Sequence, residues 1–250
     1  MCELRSRPFP WARVDRCFDS AAAAAELEES FPADDFWTVR SRSAERSWSY
    51  AARPLVVLGT GEPAPLSPLP APWTELVEDL RSDGYRTALG ELTGLDLGDA
   101  LMEVSAWRWD VAAHLSPHRD LPEKLVTHVF YLEPEWRPEW GGCLRILGSG
   151  DEHDCIEEVP PTLGTASVLV RGERSWHSVT AVERSTLRSR RSVIVTWQVP
   201  GSSSPVWGFD RRGRVICTAG GLREDAGALA HARQRIRSKI RTVVPAGGGR

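Results

Sequence analysis

From Leu101 to Val199 the chain reads as short alternating segments with no helical stretch between them, and no other feature narrows the fold as much. LMEVSAWRWDV and LVTHVFYL alternate apolar and polar residues, CLRIL follows the Gly141-Gly142 break, and SVLVRG, WHSVTAV and RRSVIVTWQV complete the series. Alternation is the period of a β-strand whose two faces meet different surroundings. Six such strands separated by Gly and Pro predict an antiparallel sandwich or jelly roll.

Before this region the texture is helical. Asp19-Ser20 precede AAAAAELEESF, where a capping side chain and a run of alanines predict a helix ending before Pro32. WTELVEDLRS and YRTALGELTG predict two more, each closing near a glycine. FWTVRSRSAERSWSY has no helical period, and the proline-dense EPAPLSPLPAP reads as a connecting loop. After Gly201 the chain is irregular as far as Gly221, and LREDAGALAHARQRIRSKIRTVV predicts a C-terminal helix with a basic face. We expect one α+β domain over 1–250: helical support and lid over 1–99, a catalytic core over 100–200, and an extension over 201–250.

Composition excludes several classes. A hydrophobic fraction of 41% and a charged fraction of 26% are those of a globular protein. The net charge of -3 predicts no nucleic-acid partner. No apolar run approaches the roughly 18 residues that span a bilayer, so no membrane association is expected. The five cysteines are scattered without a CxxC, which predicts neither a disulfide framework nor a thiolate zinc site and suggests the cytoplasm.

The chemistry is concentrated in LSPHRDLPEK. His118 and Asp120 flank one residue at the end of a strand-like run, so their side chains can converge on one ion. A surface ion pair explains them equally well unless another ligand exists. His177, in ERSWHSVTAV, is the candidate, because two imidazoles and one carboxylate are a common holder of Fe(II) with open positions. RRSVIVTWQV carries Arg191 as its second residue, which period two places on one face with Val193, Val195 and Trp197. An arginine on an apolar face is costly unless it meets an anion, and a carboxylate is the best match.

The ordered set His118-x-Asp120, YLEPEW, GGCLRIL, His177-Ser178-Val179 and Arg191 with Trp197 resembles the 2-oxoglutarate- and Fe(II)-dependent dioxygenases, specifically their prolyl-4-hydroxylase-like branch. WDVAAHLSPHRD is similar to that branch's approach to its HxD motif, with Trp109 where a tyrosine is commoner. The resemblance implies a double-stranded β-helix (jelly roll, cupin-like) core with supporting helices. It implies that His118, Asp120 and His177 hold Fe(II), that Arg191 binds the distal carboxylate of 2-oxoglutarate, and that Tyr131, Thr127, Leu144, Val179 and Trp197 line the cosubstrate. Tyr131 reads equally as a core tyrosine. Arg188 and Arg190 compete with Arg191, which is preferred for its spacing to Trp197. The resemblance further implies O2 as the oxidant, ascorbate as a possible reductant, and succinate and CO2 as coproducts. The retained carboxylate of Asp120 favours hydroxylation over halogenation, with desaturation or cyclisation as alternatives. The substrate is expected to be a small molecule or an amino acid, free or within a peptide. Oligomeric state is left open.

Other polar residues are set aside. His114 lies about 13 Å from His118 along an extended strand, too far to share an ion. His128 alternates away from Tyr131 and should face out, Cys143 should face away from the pocket, and His153 sits in the polar loop GSGDEHDCIEE. Trp136-Arg137, Glu139-Trp140 and the segment from Arg171 to Trp176 are rim candidates, whereas Trp37, Trp48 and Trp207 are expected to pack helices on the sheet. Two competing functions remain: a non-catalytic jelly-roll metal-binding or sensor module, and a zinc hydrolase with an activated water. Neither explains an inward arginine.

Overall fold

The computed structural model describes residues 3–42, 47–186 and 188–224. In chain order it runs β1 (Trp11–Val14), α1 (Ala21–Glu29), β2 (Trp37–Arg42), β3 (Ser47–Val56), α2 (Ala71–Arg81) and α3 (Asp83–Thr93). There follow β4 (Leu101–Trp109), β5 (His114–His118), β6 (Lys124–Tyr131), β7 (Leu144–Leu147), β8 (Cys155–Val159), β9 (Ala166–Val170), β10 (His177–Val179) and β11 (Arg190–Gln198). Three short strands close the described chain: β12 (Trp207–Phe209), β13 (Val215–Cys217) and β14 (Leu222–Arg223).

The helices form where capping and spacing place them. The Ser20 hydroxyl accepts from the Ala23 amide at the start of α1, and the Ser82 hydroxyl accepts from Tyr85 at the start of α3. α3 stops at Gly94, whose φ of 72° is the left-handed conformation that ends helices. Their apolar sides meet one face of the sheet. Leu27 of α1, Trp73, Val77 and Leu80 of α2 and Leu89 of α3 join Val104, Ala106, Val126, Phe130, Val193, Val195 and Trp197 in one buried cluster. Each such large side chain contributes about 1.5–3 kcal/mol of burial, so this cluster fixes the outer face of the sheet.

The pairings among the strands are antiparallel, in the order β1-β9-β6-β11-β4-β3-β5-β10-β7-β8, with β2 on β3 and β14 on β2. β3 is the corner: Ala51 to Val56 pair with β4, while Trp48 and Ser49 pair with β5. The sheet therefore curls into a half-barrel, consistent with a jelly roll, with β9-β6-β11-β4 on one side and β5-β10-β7-β8 on the other. A second cluster, with Trp37, Tyr50, Trp109, Tyr131, Leu144 and Ile146, lies within the curl. The Gly141-Gly142 break is required sterically, since a Cβ on Gly141 would stand 1.9 Å from the Ala181 carbonyl oxygen. Among the described residues no helix is long and apolar enough to cross a membrane.

Four expectations need correction. FWTVRSRSAERSWSY supplies β2 and β3, because its alternation is completed by pairing with β4 and β5 rather than by a local signal. The loop GSGDEHDCIEE ends in β8, an edge strand whose acidic residues hid it; with β5, which carries His118, this makes eight strands rather than six between 101 and 198. The irregular tail contains the β12–β13 hairpin. Leu222 and Arg223 of the expected C-terminal helix pair with β2 as β14, and 225–250 lies outside the described residues.

Candidate metal centre

His118 ends β5 and His177 begins β10, and the two are direct cross-strand partners. Facing positions in an antiparallel pair hold their Cβ atoms about 5 Å apart, so residues 59 positions apart in sequence become neighbours, with ring centroids 4.2 Å apart. Asp120 lies just past β5 and turns back to them. One ligand atom from each of the three lies within 4.8 Å of the others, and among the described residues no other group of metal-ligating side chains does so.

Hydrogen bonds orient this set. His118 Nδ1 lies 2.9 Å from the Ser116 carbonyl and His177 Nδ1 2.9 Å from the Ser175 carbonyl. A carbonyl can only accept, so each Nδ1 carries the proton and each Nε2 keeps a lone pair for a metal. Thr127 Oγ1 donates to Asp120 Oδ2 at 2.8 Å, and Lys124 Nζ donates to Oδ1 at 2.7 Å. Burial would raise the Asp120 pKa, but Lys124 and the two imidazoles outweigh it and hold the carboxyl well below its usual range. Burial, reinforced by His177, pushes the His118 pKa down to about 3, and burial lowers that of His177. The set is therefore two neutral imidazoles and one carboxylate, the donor chemistry that suits Fe(II).

The three residues line a cavity of about 290 Å³ between the two sides of the curl. Thr127, Tyr131, Leu144 and Val179 line it as expected, and so do Trp109, Ile194 and Thr196. Tyr131 is buried, and its hydroxyl donates to Ser167 Oγ at 3.0 Å.

The expected anchor does not line this cavity. Arg191 points to the other face of β11, where Nε donates to Glu133 Oε1 at 2.8 Å, Nη1 donates to the Glu28 carbonyl at 3.0 Å, and Nη2 pairs with the Glu28 carboxylate. Trp197 shares that face and packs in the helix-covered cluster. Period two was right, but the face was not: Val193, Val195 and Trp197 are apolar because they lie under helices. The cavity face carries Arg190, Ser192, Ile194 and Thr196, and a shift of one residue exchanges the two sets.

Arg190 takes the place expected for Arg191. It is 1% exposed and lines the cavity. Its guanidinium stands 4.9 Å from the Trp109 ring and 5.4 Å from the Tyr131 ring. Nη1 reaches only Ser192 Oγ, at 3.4 Å, while Nε has no partner among the described residues. Burial lowers its pKa. A buried guanidinium facing a cavity without a carboxylate is costly until an anion arrives. The serine and threonine that follow it at period two were the sequence signal for a polar, cavity-facing side.

The remaining candidates separate. His114 bonds Ser47 and its own chain and stands outside the set. His128 faces away from the cavity but not into water: it is buried beneath α3 with Nδ1 2.9 Å from the Tyr85 hydroxyl. Trp48 and Trp207 line the cavity rather than packing helices, whereas Trp37 stacks edgewise on Trp207. Trp136 and Trp140 pack on each other away from it, and Trp176 lies under Arg119, which does line it. Lys124, which carried no sequence signal, proves to be the partner of Asp120, at i+4.

Residues 104–199, spanning most of β4 through the end of β11, match the family model of the 2OG-Fe(II) oxygenase superfamily. The chain resembles the prolyl-4-hydroxylase-like 2-oxoglutarate/Fe(II) oxygenases. Similar solved structures include a Pseudomonas putida prolyl-4-hydroxylase, 21% identical over 76% of this chain and 92% of that one, with a TM-score of 0.55. A Trichoplax adhaerens prolyl hydroxylase, in complex with a hypoxia inducible factor oxygen degradation domain peptide fragment, is 14% identical over 75% and 83%, with a TM-score of 0.54. AviO1 from Streptomyces viridochromogenes Tue57 is 15% identical over 78% and 91%, with a TM-score of 0.51. These likenesses concern the fold. No curated protein matches the chain. Because the oxygenase family match includes His118, Asp120, His177 and Arg190, it covers the site as well as the scaffold.

Proposed function

We propose that this protein is an Fe(II)- and 2-oxoglutarate-dependent oxygenase that hydroxylates a C–H bond of a small molecule or an amino-acid-derived substrate, with release of succinate and CO2. The observation that carries this reading is a buried arginine without a carboxylate partner in the cavity that also holds the His118, Asp120 and His177 cluster. A hydrolase or a structural metal site has no use for that cation. A dicarboxylate that binds a metal at one end and a guanidinium at the other uses both.

In this reading Nε2 of His118, Nε2 of His177 and one oxygen of Asp120 hold the metal. When bound, Fe(II) supplies activation of O2, coupled to oxidative decarboxylation of 2-oxoglutarate. Thr127 and Lys124 keep the Asp120 carboxylate ionised and aimed, and the Ser116 and Ser175 carbonyls fix the imidazole tautomers. Arg190 neutralises the distal carboxylate, with Trp109 and Tyr131 stacked beside it. Leu144, Val179 and Ile194 exclude water from the cosubstrate. The cavity volume supports a small molecule or a single residue as the reacting part of the substrate. We propose further that the chain works as one dioxygenase domain, and its unpaired Cys17, Cys143, Cys155 and Cys217 support the cytoplasm as its location.

The test is aerobic incubation of purified protein with Fe(II), ascorbate and 2-oxoglutarate. Succinate formed above the level of an Asp120→Ala control is expected even without substrate. Tight metal binding with no 2-oxoglutarate binding and no succinate would overturn the reading in favour of a sensor or hydrolytic site.

A further inference from the structure

The cavity has a second polar region that the proposed chemistry leaves unused. Glu103 on β4 faces Thr196 on β11, and Thr196 faces Thr127 on β6, so the three form one row across the sheet. Thr127 is the residue that donates to the metal ligand Asp120. Strands lie about 4.8 Å apart, so Glu103 stands two strand spacings, roughly 10 Å, from Thr127. Arg190 is six residues along β11 from Thr196, about 20 Å in an extended strand. A diacid anchored on Arg190 and on the metal does not extend to Glu103.

Two polar atoms in this row are buried without partners among the described residues: Glu103 Oε2 and Thr196 Oγ1. Glu103 is 9% exposed and lines the cavity, as does Thr196. Burial raises the Glu103 pKa against the opposing effects of Ser204 and Lys124. Glu103 already has a side-chain hydrogen bond with Ser204 and a backbone one at Leu58, so Oε2 is the acceptor left for a ligand hydroxyl or amide N–H. Lys124 and the metal cluster lie on the same side of the row, which disfavours an additional cation.

The aromatic group next to Glu103 is Trp207, which lines the cavity and donates through Nε1 to Ser105 Oγ at 3.0 Å. Further along β4, Trp107 stacks on Tyr50 at 3.9 Å between centroids. The whole cavity is about 290 Å³ and must also admit 2-oxoglutarate. An apolar cavity of about 150 Å³ holds a benzene, so the enclosed part of the substrate is of the size of one ring.

We propose that Glu103 and Thr196, with Trp207 beside them and Trp107 further along β4, form the substrate subsite, and that it takes an uncharged ring-bearing small molecule through a hydroxyl or amide group. The subsite rests on the oxygenase reading for its orientation, since that reading makes the metal across the row the reacting centre.

The probes are 2-phenylethanol, ethylbenzene and 2-phenylethylammonium, titrated by tryptophan fluorescence against Mn(II)-loaded protein with 2-oxoglutarate and against metal-free protein. Wild-type protein should bind the alcohol about tenfold more tightly than ethylbenzene, the gain of a well-made hydrogen bond, and more tightly than the ammonium. Glu103→Leu should erase the preference over ethylbenzene, and the isosteric Glu103→Gln should keep most of it. Equal affinities in the wild type, a preference for the ammonium, or a preference that survives Glu103→Leu would overturn the subsite. Calorimetry of 2-oxoglutarate binding on the same metal-loaded sample separates the two claims, because its failure counts against the oxygenase reading and leaves the probe titrations on metal-free protein to decide Glu103.

Discussion

Arg190 and Arg191 are neighbours with the same chemistry and opposite circumstances. Arg191 is one-fifth exposed, reaches two glutamates, and ties β11 to α1 and to the segment after β6. Arg190 is almost wholly buried, reaches one serine hydroxyl, and faces a cavity. The first charge is used by the fold. The second is costly to the fold, and the proposed oxygenase reading gives it an anion to meet. The two arginines differ in the face of β11 they occupy and in the carboxylates they meet there, not in residue type.

The comparison can be tested at four points. Replacing Asp120 or His177 with alanine removes one of the three proposed metal ligands, and succinate formation should fall to background. Residual activity near the wild-type level would break the link between cluster and cavity. Next, Arg190→Met should raise the apparent KM for 2-oxoglutarate by the equivalent of about 2–5 kcal/mol. The same substitution should leave the Tm of the unliganded protein equal or higher, because it removes an unpaired buried charge. A large fall in Tm would mean that Arg190 has a structural partner.

Arg191→Ala should do the reverse. It leaves Glu133, which is fully buried, without its cation. The loss should be about 3 kcal/mol, at the low end for a broken buried pair, because Glu133 already has a pKa raised by burial and can take up a proton. Denaturant unfolding measures this, and an unchanged KM for 2-oxoglutarate should accompany it.

The smallest effect concerns His128, whose pKa burial lowers to about 3. In the folded state it stays neutral while the unfolded chain binds a proton below the ordinary histidine pKa. Its contribution is thus complete above about pH 6.5 and is lost as pH falls toward 3. His128→Leu should make the acid limb of the stability profile shallower by up to about one proton. An unchanged slope would mean that His128 meets water or an acid when folded.

Much of this molecule was legible in its sequence, and the gaps have physical causes. Alternation announced β4, β6, β9 and β11, and Ser20 and Gly94 marked helix ends through their own local bonds. The HxD pair and His177 were legible because metal chemistry restricts residue type. Their adjacency was not, since it depends on the β5–β10 register. β2, β3 and β8 escaped notice because their order comes from tertiary partners. The choice between Arg190 and Arg191 failed on a general point: in a strand covered by helices on one side and lining a polar cavity on the other, the more apolar face is the structural one. Glu103 carried no motif, and only its burial beside Thr196 singled it out.

The most direct test of the account is an anaerobic calorimetric titration of 2-oxoglutarate into Fe(II)-loaded wild-type, Arg190→Met and Arg191→Met proteins. The account predicts binding at one site in the wild type, retained in Arg191→Met and lost in Arg190→Met. Binding that survives in Arg190→Met, or that disappears in Arg191→Met while the protein stays folded, would contradict it.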